Sequence, residues 1–143
     1  MTSSPTVSAL SGSDLRDMFA AAMIWLERHA DGVNAVNVFP VPDGDTGTNM
    51  FLTMRSTMQE AERCADDSAG AMLAAMSHGA LMGARGNSGV ILSQIIRGIA
   101  QAGEGMQVMD GACFVAGLEH GAAAAYKAVQ KPATVKSSKV NPV

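Results

Sequence analysis

The chain has 143 residues, a hydrophobic fraction of 48%, a charged fraction of 16% and a formal net charge of −3. This composition excludes a strongly charged disordered chain, and the length suits a single domain with one core. An aromatic fraction of only 4%, beside 11 Met and runs of Ala, favours helices over strands. We therefore predict an all-α fold.

Charge and cysteine spacing narrow the function classes further. The sequence contains no basic stripe of the kind that is typical of nucleic-acid-binding proteins. Cys64 and Cys113 have neither the spacing of a metal site nor that of a disulfide framework, so we expect two free thiols. No apolar run reaches the roughly 18 residues of a membrane span, and residues 1–10 do not resemble a signal peptide. The expected location is therefore cytoplasmic.

The first predicted helix follows a flexible N-terminus over residues 1–11. Ser11 and Asp14 form a capping pattern at its start. Apolar residues then recur at helical spacing, which predicts a helix over residues 13–30. We expect Asp31-Gly32 to end it, because this dipeptide is typical of turns.

Four further helices are predicted from the same periodicity. Together, the five helices predict an antiparallel helical bundle. Glycine-rich breaks precede the second and the fourth of the five predicted helices. Residues 133–143 show no periodicity and are expected to be disordered. The predicted spans are from near Thr48 to the break at residues 66–68, residues 69–83, the stretch between the glycines at 89 and 103, and the stretch from Asp110 to Pro132.

The first glycine-rich break reads DGDTGTN and spans Asp43 to Asn49. Two carboxylates separated by one Gly can converge on a cation, and oxygen ligands favour Mg²⁺ or Ca²⁺ over Zn²⁺. An EF-hand is excluded, because the positions that need Asp or Asn, Gly and Glu fail to match. Since the loop leads into a helix, its N–H groups and hydroxyls can also bind an anion. A simple turn capped by Thr48 is the alternative.

The second break reads GARGNSG and spans Gly83 to Gly89. It is not a Walker A loop, since no Gly-Lys-Ser/Thr follows, and no strand precedes it as in a dinucleotide fingerprint. A helix–helix turn capped by Ser88 is the alternative. Two helix starts that can bind anions, together with a carboxylate pair, predict a site for a nucleoside triphosphate with magnesium.

Two segments resemble a known family. The run from Asn34 to Met50, NAVNVFPVPDGDTGTNM, is similar to the signature of the DhaL (Dak2) kinase domain, with most likeness to its fatty acid kinase A branch. The run from Gly83 to Gln94, GARGNSGVILSQ, resembles the second motif of that branch. The resemblance covers residues 12–132.

The resemblance implies a helical barrel that binds ATP and two Mg²⁺ at one end. It implies Asp43 and Asp45 as magnesium ligands. Dihydroxyacetone kinases of the family carry a third Asp upstream, and Asn37 is the nearest candidate here. The phosphate-binding residues that the resemblance implies are Thr46, Gly47, Thr48, Asn49, Gly86, Asn87, Ser88 and Gly89.

The implied reaction is transfer of the γ-phosphoryl group of ATP to the carboxylate of a fatty acid. The implied partner is a DegV-like fatty acid-binding carrier protein. Positioning and charge neutralisation drive such a transfer without a covalent enzyme intermediate. Two alternatives stay open: a dihydroxyacetone (glycerone) kinase-type subunit, and a non-catalytic truncated fragment.

The C-terminal stretch departs from the family pattern. After Pro132 the family continues through a Gly-Thr motif into further helices, which residues 133–143 do not match. We therefore expect an incomplete DhaL-like barrel over residues 12–132, with a divergent tail and with exposed apolar faces over residues 90–99 and 114–129. Full-length relatives carry further domains, through which a homodimer is expected.

Overall fold

The computed structural model of the chain describes residues 8–36 and 44–140, with residues 130–140 as backbone only. Within this part, five α-helices follow one another and a pair of two-residue strands accompanies them. The predicted all-α class is confirmed. In chain order the elements are β1 (Ala9–Leu10), α1 (Gly12–Ala35), α2 (Thr46–Arg63), α3 (Ala69–Gly83), α4 (Gly86–Ala102), β2 (Met109–Asp110) and α5 (Gly111–Val140).

The start of α1 has the capping box that the sequence predicts. The Ser11 hydroxyl accepts a hydrogen bond from the Asp14 N–H at 3.1 Å, and the Asp14 carboxylate accepts one from the Ser11 N–H at 3.0 Å. Asp67, in the loop between α2 and α3, accepts hydrogen bonds from both the hydroxyl and the N–H of Ser13. These two bonds, the hydroxyl first, lower the pKa of Asp67, because they favour its charged form.

The end of α1 differs from the prediction. The helix continues through Asp31 and Gly32 to Ala35, and the N–H of Val36 closes it on the Val33 carbonyl at 3.2 Å. A glycine inside a helix costs only about 1 kcal/mol relative to Ala, so it weakens a helix without ending one that later contacts hold. The additional turn carries Asn34 to the start of α2.

The core lies between α1, α2, α3 and α4. Met72, Met76 and Ala80 of α3 are buried, and so are Met54 and Met58 of α2. Flexible Met side chains fill such irregular spaces between helices well. The buried apolar cluster consists of Leu15, Met54, Met58, Ala61, Ala69, Met72, Leu73, Met76, Ala80, Ile96, Ile99 and Met109.

The strand pair is absent from the sequence prediction. β1 pairs with β2 in antiparallel register, with Ala9 opposite Asp110 and Leu10 opposite Met109. Residues 9–10 therefore belong to a sheet, whereas the sequence predicts a flexible N-terminus over residues 1–11. Two-residue strands are too short to show a period, and the burial of Met109 is a tertiary effect.

The last helix is longer than predicted. α5 runs to Val140, so the predicted end at Pro132 is wrong. A proline removes one backbone hydrogen bond of a helix, but its own φ angle is compatible with helical geometry. Residues 133–140, expected to be disordered, form the end of this helix, and residues 141–143 lie outside the described part.

The contacts between the helices determine which helix starts lie together and where the bundle is open. Consecutive helices pack on one another and α2 also contacts α4, so the N-termini of α2 and α4 lie at the same end. α5 packs on α4 and has few contacts with the other described helices. Between α1 and α5 opens an apolar cleft of about 720 Å³, lined by residues of α1, α2, α4 and α5. The described helices therefore leave this side of the bundle open.

Large apolar and aromatic side chains of α1 and α5 are exposed. Trp25 on α1 is 61% exposed and Tyr126 on α5 is 72% exposed. Phe114 and Leu118, in the predicted exposed face of the fifth helix, line the cleft. No helix in residues 8–36 and 44–140 is long and apolar enough to cross a bilayer.

Candidate functional site

The two glycine-rich helix starts meet in the folded chain. The hydroxyl of Ser88, in the first turn of α4, donates a hydrogen bond to the Thr46 carbonyl at 3.3 Å. Gly86 has φ +65 and lies so close to the Asn49 side-chain amide that a Cβ atom would overlap it. Gly adopts this backbone conformation without strain, whereas a larger residue would be strained and would require the Asn49 amide to move. The structure thus brings the two predicted phosphate-binding segments together.

Thr53 joins the two segments from the interior. Its hydroxyl donates to the Asn49 carbonyl at 2.8 Å and accepts from the Arg85 N–H at 3.1 Å. The side chain is fully buried. Sequence reasoning missed this residue, because a Thr on the inner face of a helix carries no local signal of a contact 32 residues away.

The start of α2 is capped from another helix. Asp45 is the N-cap residue, but its side chain makes no capping hydrogen bond to α2. Asn34 takes that role, because its Oδ1 accepts from the Gly47 N–H at 2.8 Å and the Thr48 N–H at 3.1 Å. Its Nδ2 donates to the Thr48 hydroxyl at 3.0 Å. The helix therefore begins at Thr46, slightly before the predicted start at Thr48.

The start of α4 has a different environment. Arg85 is the N-cap residue and no side chain caps this helix start within the described residues. Ser88, the predicted cap, lies in the first turn and bonds to Thr46 instead. The first N–H groups of a helix carry a partial positive charge, so an uncapped start is suited to bind an anion.

Exposure divides the predicted phosphate-binding residues into two groups. Gly47 and Gly89 are buried, and their N–H groups bond to Asn34 and to the Arg85 carbonyl. The other predicted residues are accessible to a solute to different degrees. Thr48, Gly86 and Asn87 are exposed, and Thr46, Asn49 and Ser88 are half-buried.

The predicted metal ligands are described only in part. Asp45 is half-buried, directly before α2, whereas Asn37 and Asp43 lie outside the described residues. Within the described ranges, no three His, Cys, Asp or Glu side chains form a group that could hold a metal ion. The residues that follow Asp45 in the chain include Thr46, Thr48 and Asn49, whose side chains carry hydroxyl and amide oxygens. Such oxygen donors fit Mg²⁺ and do not fit a soft-ligand metal site.

Cys64 and Cys113 lie apart from this site. Both are free, as predicted, and both are half-buried. The Cys113 thiol donates to the Ala102 carbonyl at 3.2 Å, at the junction of α4 and α5.

The chain is similar to longer bacterial proteins. It is 47% identical over 127 residues to protein YloV of Bacillus subtilis, a match that covers 89% of this chain and 23% of that protein. It is 44% identical over 126 residues to uncharacterized proteins of Staphylococcus saprophyticus and Staphylococcus epidermidis, with 88% of this chain and 23% of each relative covered. The chain thus spans about a quarter of the length of these relatives.

A family model describes most of the same region. The DAK2 domain matches residues 40–137, which include both glycine-rich helix starts and continue past Pro132. The match agrees with the helical fold and with the resemblance on which the site residues were predicted. The chain belongs to the DAK2 domain family, a family of kinase-related domains.

Proposed function

We propose that this chain is the Mg-ATP-binding domain of a kinase whose acceptor is a fatty acid held by a carrier protein. The observation that carries the proposal is the adjacency of the two helix starts, joined through Thr53, with the α4 start uncapped by any described side chain. An uncapped helix start beside oxygen donors suits a phosphate chain and its metal ion.

The residues divide into two roles in this proposal. The first turn of α4, with Gly86, Asn87 and Ser88, would bind phosphate oxygens through backbone N–H groups. At the start of α2, Asp45 would hold the cation, and the Thr48 hydroxyl would contact the phosphate chain. Asn37 and Asp43 are the further ligands expected from the resemblance.

Bound Mg-ATP would supply the phosphoryl group and neutralise its developing charge. The contribution of the protein is to position that group and to present donors already oriented by the fold. Gly86 permits close approach of the backbone, and Thr53 keeps the two segments in register. We assign no general base among the described residues.

The proposal for the acceptor and the carrier rests on the residue sequence of the first motif. The segment from Asn37 to Asp45 resembles the fatty acid branch, which favours an acyl carboxylate over a small ketone. Since the matched relatives are about four times as long, we propose that transfer takes place in a longer protein of this kind together with a DegV-like carrier.

Thermal unfolding of the chain with Mg²⁺, ATP or both tests the nucleotide-binding part of the proposal. A ligand that binds only the folded state stabilises it by about 2.7 kcal/mol when its concentration is 100 times its Kd. We therefore expect a higher Tm only when Mg²⁺ and ATP are both present. Asp45→Ala should abolish this shift, and so should Asp43→Ala.

The matched control is Asp17→Ala, which removes an exposed carboxylate near the opposite end of α1. It should keep the full ligand-dependent shift. A cooperative transition of the unmodified chain that Mg-ATP leaves unchanged would contradict the proposal.

A further inference from the structure

The side-chain amide of Asn34 makes three hydrogen bonds across the junction of α1 and α2. Two are accepted from the N–H groups of Gly47 and Thr48, and one is donated to the Thr48 hydroxyl. The two N–H donors determine the orientation of the amide, because the opposite orientation would place its NH₂ group against them. Both N–H groups are at the positions that a helix cap normally satisfies.

The bond to Thr48 has a chemical consequence. A hydroxyl that accepts a hydrogen bond from an amide keeps its own proton to donate elsewhere. Thr48 is exposed, so this proton is available to a solute that binds beside the start of α2. Asn34 therefore sets Thr48 as a donor, which suits a phosphate oxygen.

The close packing of α1 on α2 keeps this geometry rigid. A Cβ atom on Gly47 would overlap the backbone of Ala30, so the two helices are in direct contact one turn before Asn34. Asn34 is itself half-buried. A side chain held by three hydrogen bonds between contacting helices has little freedom to reorient.

We propose that Asn34 is a positioning residue of the nucleotide site, which acts by capping α2 and by directing the Thr48 hydroxyl proton toward the phosphate groups. The inference rests on the proposed function, and it adds a residue outside the predicted site set. A neutral amide is required at this position. A carboxylate there would still cap the helix, but it would accept the Thr48 proton and repel phosphate.

Asn34→Asp separates the two roles, and Asn34→Ala removes both. In the ligand-free chain, we expect Asn34→Ala to lower the Tm by roughly 3–6 °C and Asn34→Asp to leave it within about 1–2 °C, because Asp is also a good helix cap. In calorimetric titration with Mg²⁺ and ATP, both variants should raise the Kd at least tenfold.

Thr48→Val provides the coupling test. If Asn34 acts through the hydroxyl, combining Asn34→Asp with Thr48→Val should weaken binding no more than the stronger single change. Gln59→Glu is the control for added charge, since Gln59 is exposed on α2 several turns away, and it should leave the Kd within about twofold.

Three results would overturn the inference in distinguishable ways. Loss of Tm in Asn34→Asp equal to that in Asn34→Ala would show that Asn34 is not the cap. Unchanged Kd in Asn34→Asp, while the unmodified chain binds Mg-ATP, would overturn the inference alone. Absence of Mg-ATP binding by the unmodified, cooperatively folded chain would overturn the proposed function together with it.

Discussion

The helices α2 and α4 begin side by side, but their first turns are satisfied in different ways. At α2 the amide of Asn34 occupies the N–H groups of Gly47 and Thr48. At α4 no described side chain caps the start, and Gly86 opens the turn with a positive φ angle. The sequence predicts the same anion-binding role for both starts. The structure indicates a division: α4 offers backbone donors, whereas α2 offers side-chain oxygens.

Gly86→Ala should have the largest effect on this comparison. The change introduces a Cβ in the left-handed region and against the Asn49 amide, which together cost about 2–4 kcal/mol. We expect a lower Tm and loss of the Mg-ATP-dependent Tm shift.

Gly105→Ala is its matched control. Gly105 also has a positive φ, at +74, but a Cβ there meets nothing within 4 Å. It should cost only the backbone strain of about 1–2 kcal/mol and leave the ligand shift intact. Equal losses in both variants would show that the contact with Asn49 is unimportant.

Thr53→Val should have the next largest effect, because it breaks the connection between the two starts. The Arg85 N–H loses its buried acceptor, which costs about 1–3 kcal/mol in the free energy of unfolding. Chemical denaturation measures this loss, and the Mg-ATP affinity should fall as the starts separate.

Thr57→Val is the control for Thr53, since Thr57 is equally buried but bonds only within α2, to the Thr53 carbonyl at 2.9 Å. We expect it to destabilise less and to leave affinity unchanged. The reverse order would contradict the role of Thr53 as a cross-link.

Ser88→Ala tests the side-chain contact between the starts with a smaller expected change. Loss of the hydrogen bond from the Ser88 hydroxyl to the Thr46 carbonyl should lower the free energy of unfolding by about 0.5–1.5 kcal/mol. Ser93→Ala removes a hydroxyl bonded to the Val90 carbonyl within α4 and serves as the control. Only Ser88→Ala should weaken Mg-ATP binding in titration, and equal affinities would remove Ser88 from the proposed site.

The start of α1 can be compared with the starts of α2 and α4. We expect the smallest effect from a substitution there. Besides the Ser11–Asp14 capping box, the Asp67 carboxylate also caps this start by accepting from Ser13, and these bonds hold the pKa of Asp67 below its ordinary value of 3.8. A lowered pKa in the folded state means that the stabilisation is present above 3.8 and is lost as the pH falls through the folded value. Asp67→Asn should therefore lower the Tm at neutral pH.

That Tm difference from the unmodified chain should disappear in strong acid, where Asp67 is protonated in both the folded and the unfolded states. A pH series of thermal melts of the two proteins measures it. A difference independent of pH would show that charge plays no part in this cap.

Local sequence patterns predicted those features of the fold and of the site that depend on residues close together in the chain. The helical class, the third helix and the capping box at Ser11 were predicted from periodicity and composition, because adjacent residues determine them. The two glycine-rich helix starts were also predicted, since Gly and short polar residues indicate turns irrespective of the rest of the fold.

Only the tertiary structure decided how these parts are held together. The contacts of Asn34 with Gly47, Thr53 with Arg85, and Ser13 with Asp67 span 13, 32 and 54 residues of the chain. Neither the type nor the spacing of these residues indicates a partner, because contact at such separations depends on how helices pack. The end of α1 beyond Gly32 has the same origin. Helix starts therefore follow from local chemistry, whereas the partner that caps each start follows from packing.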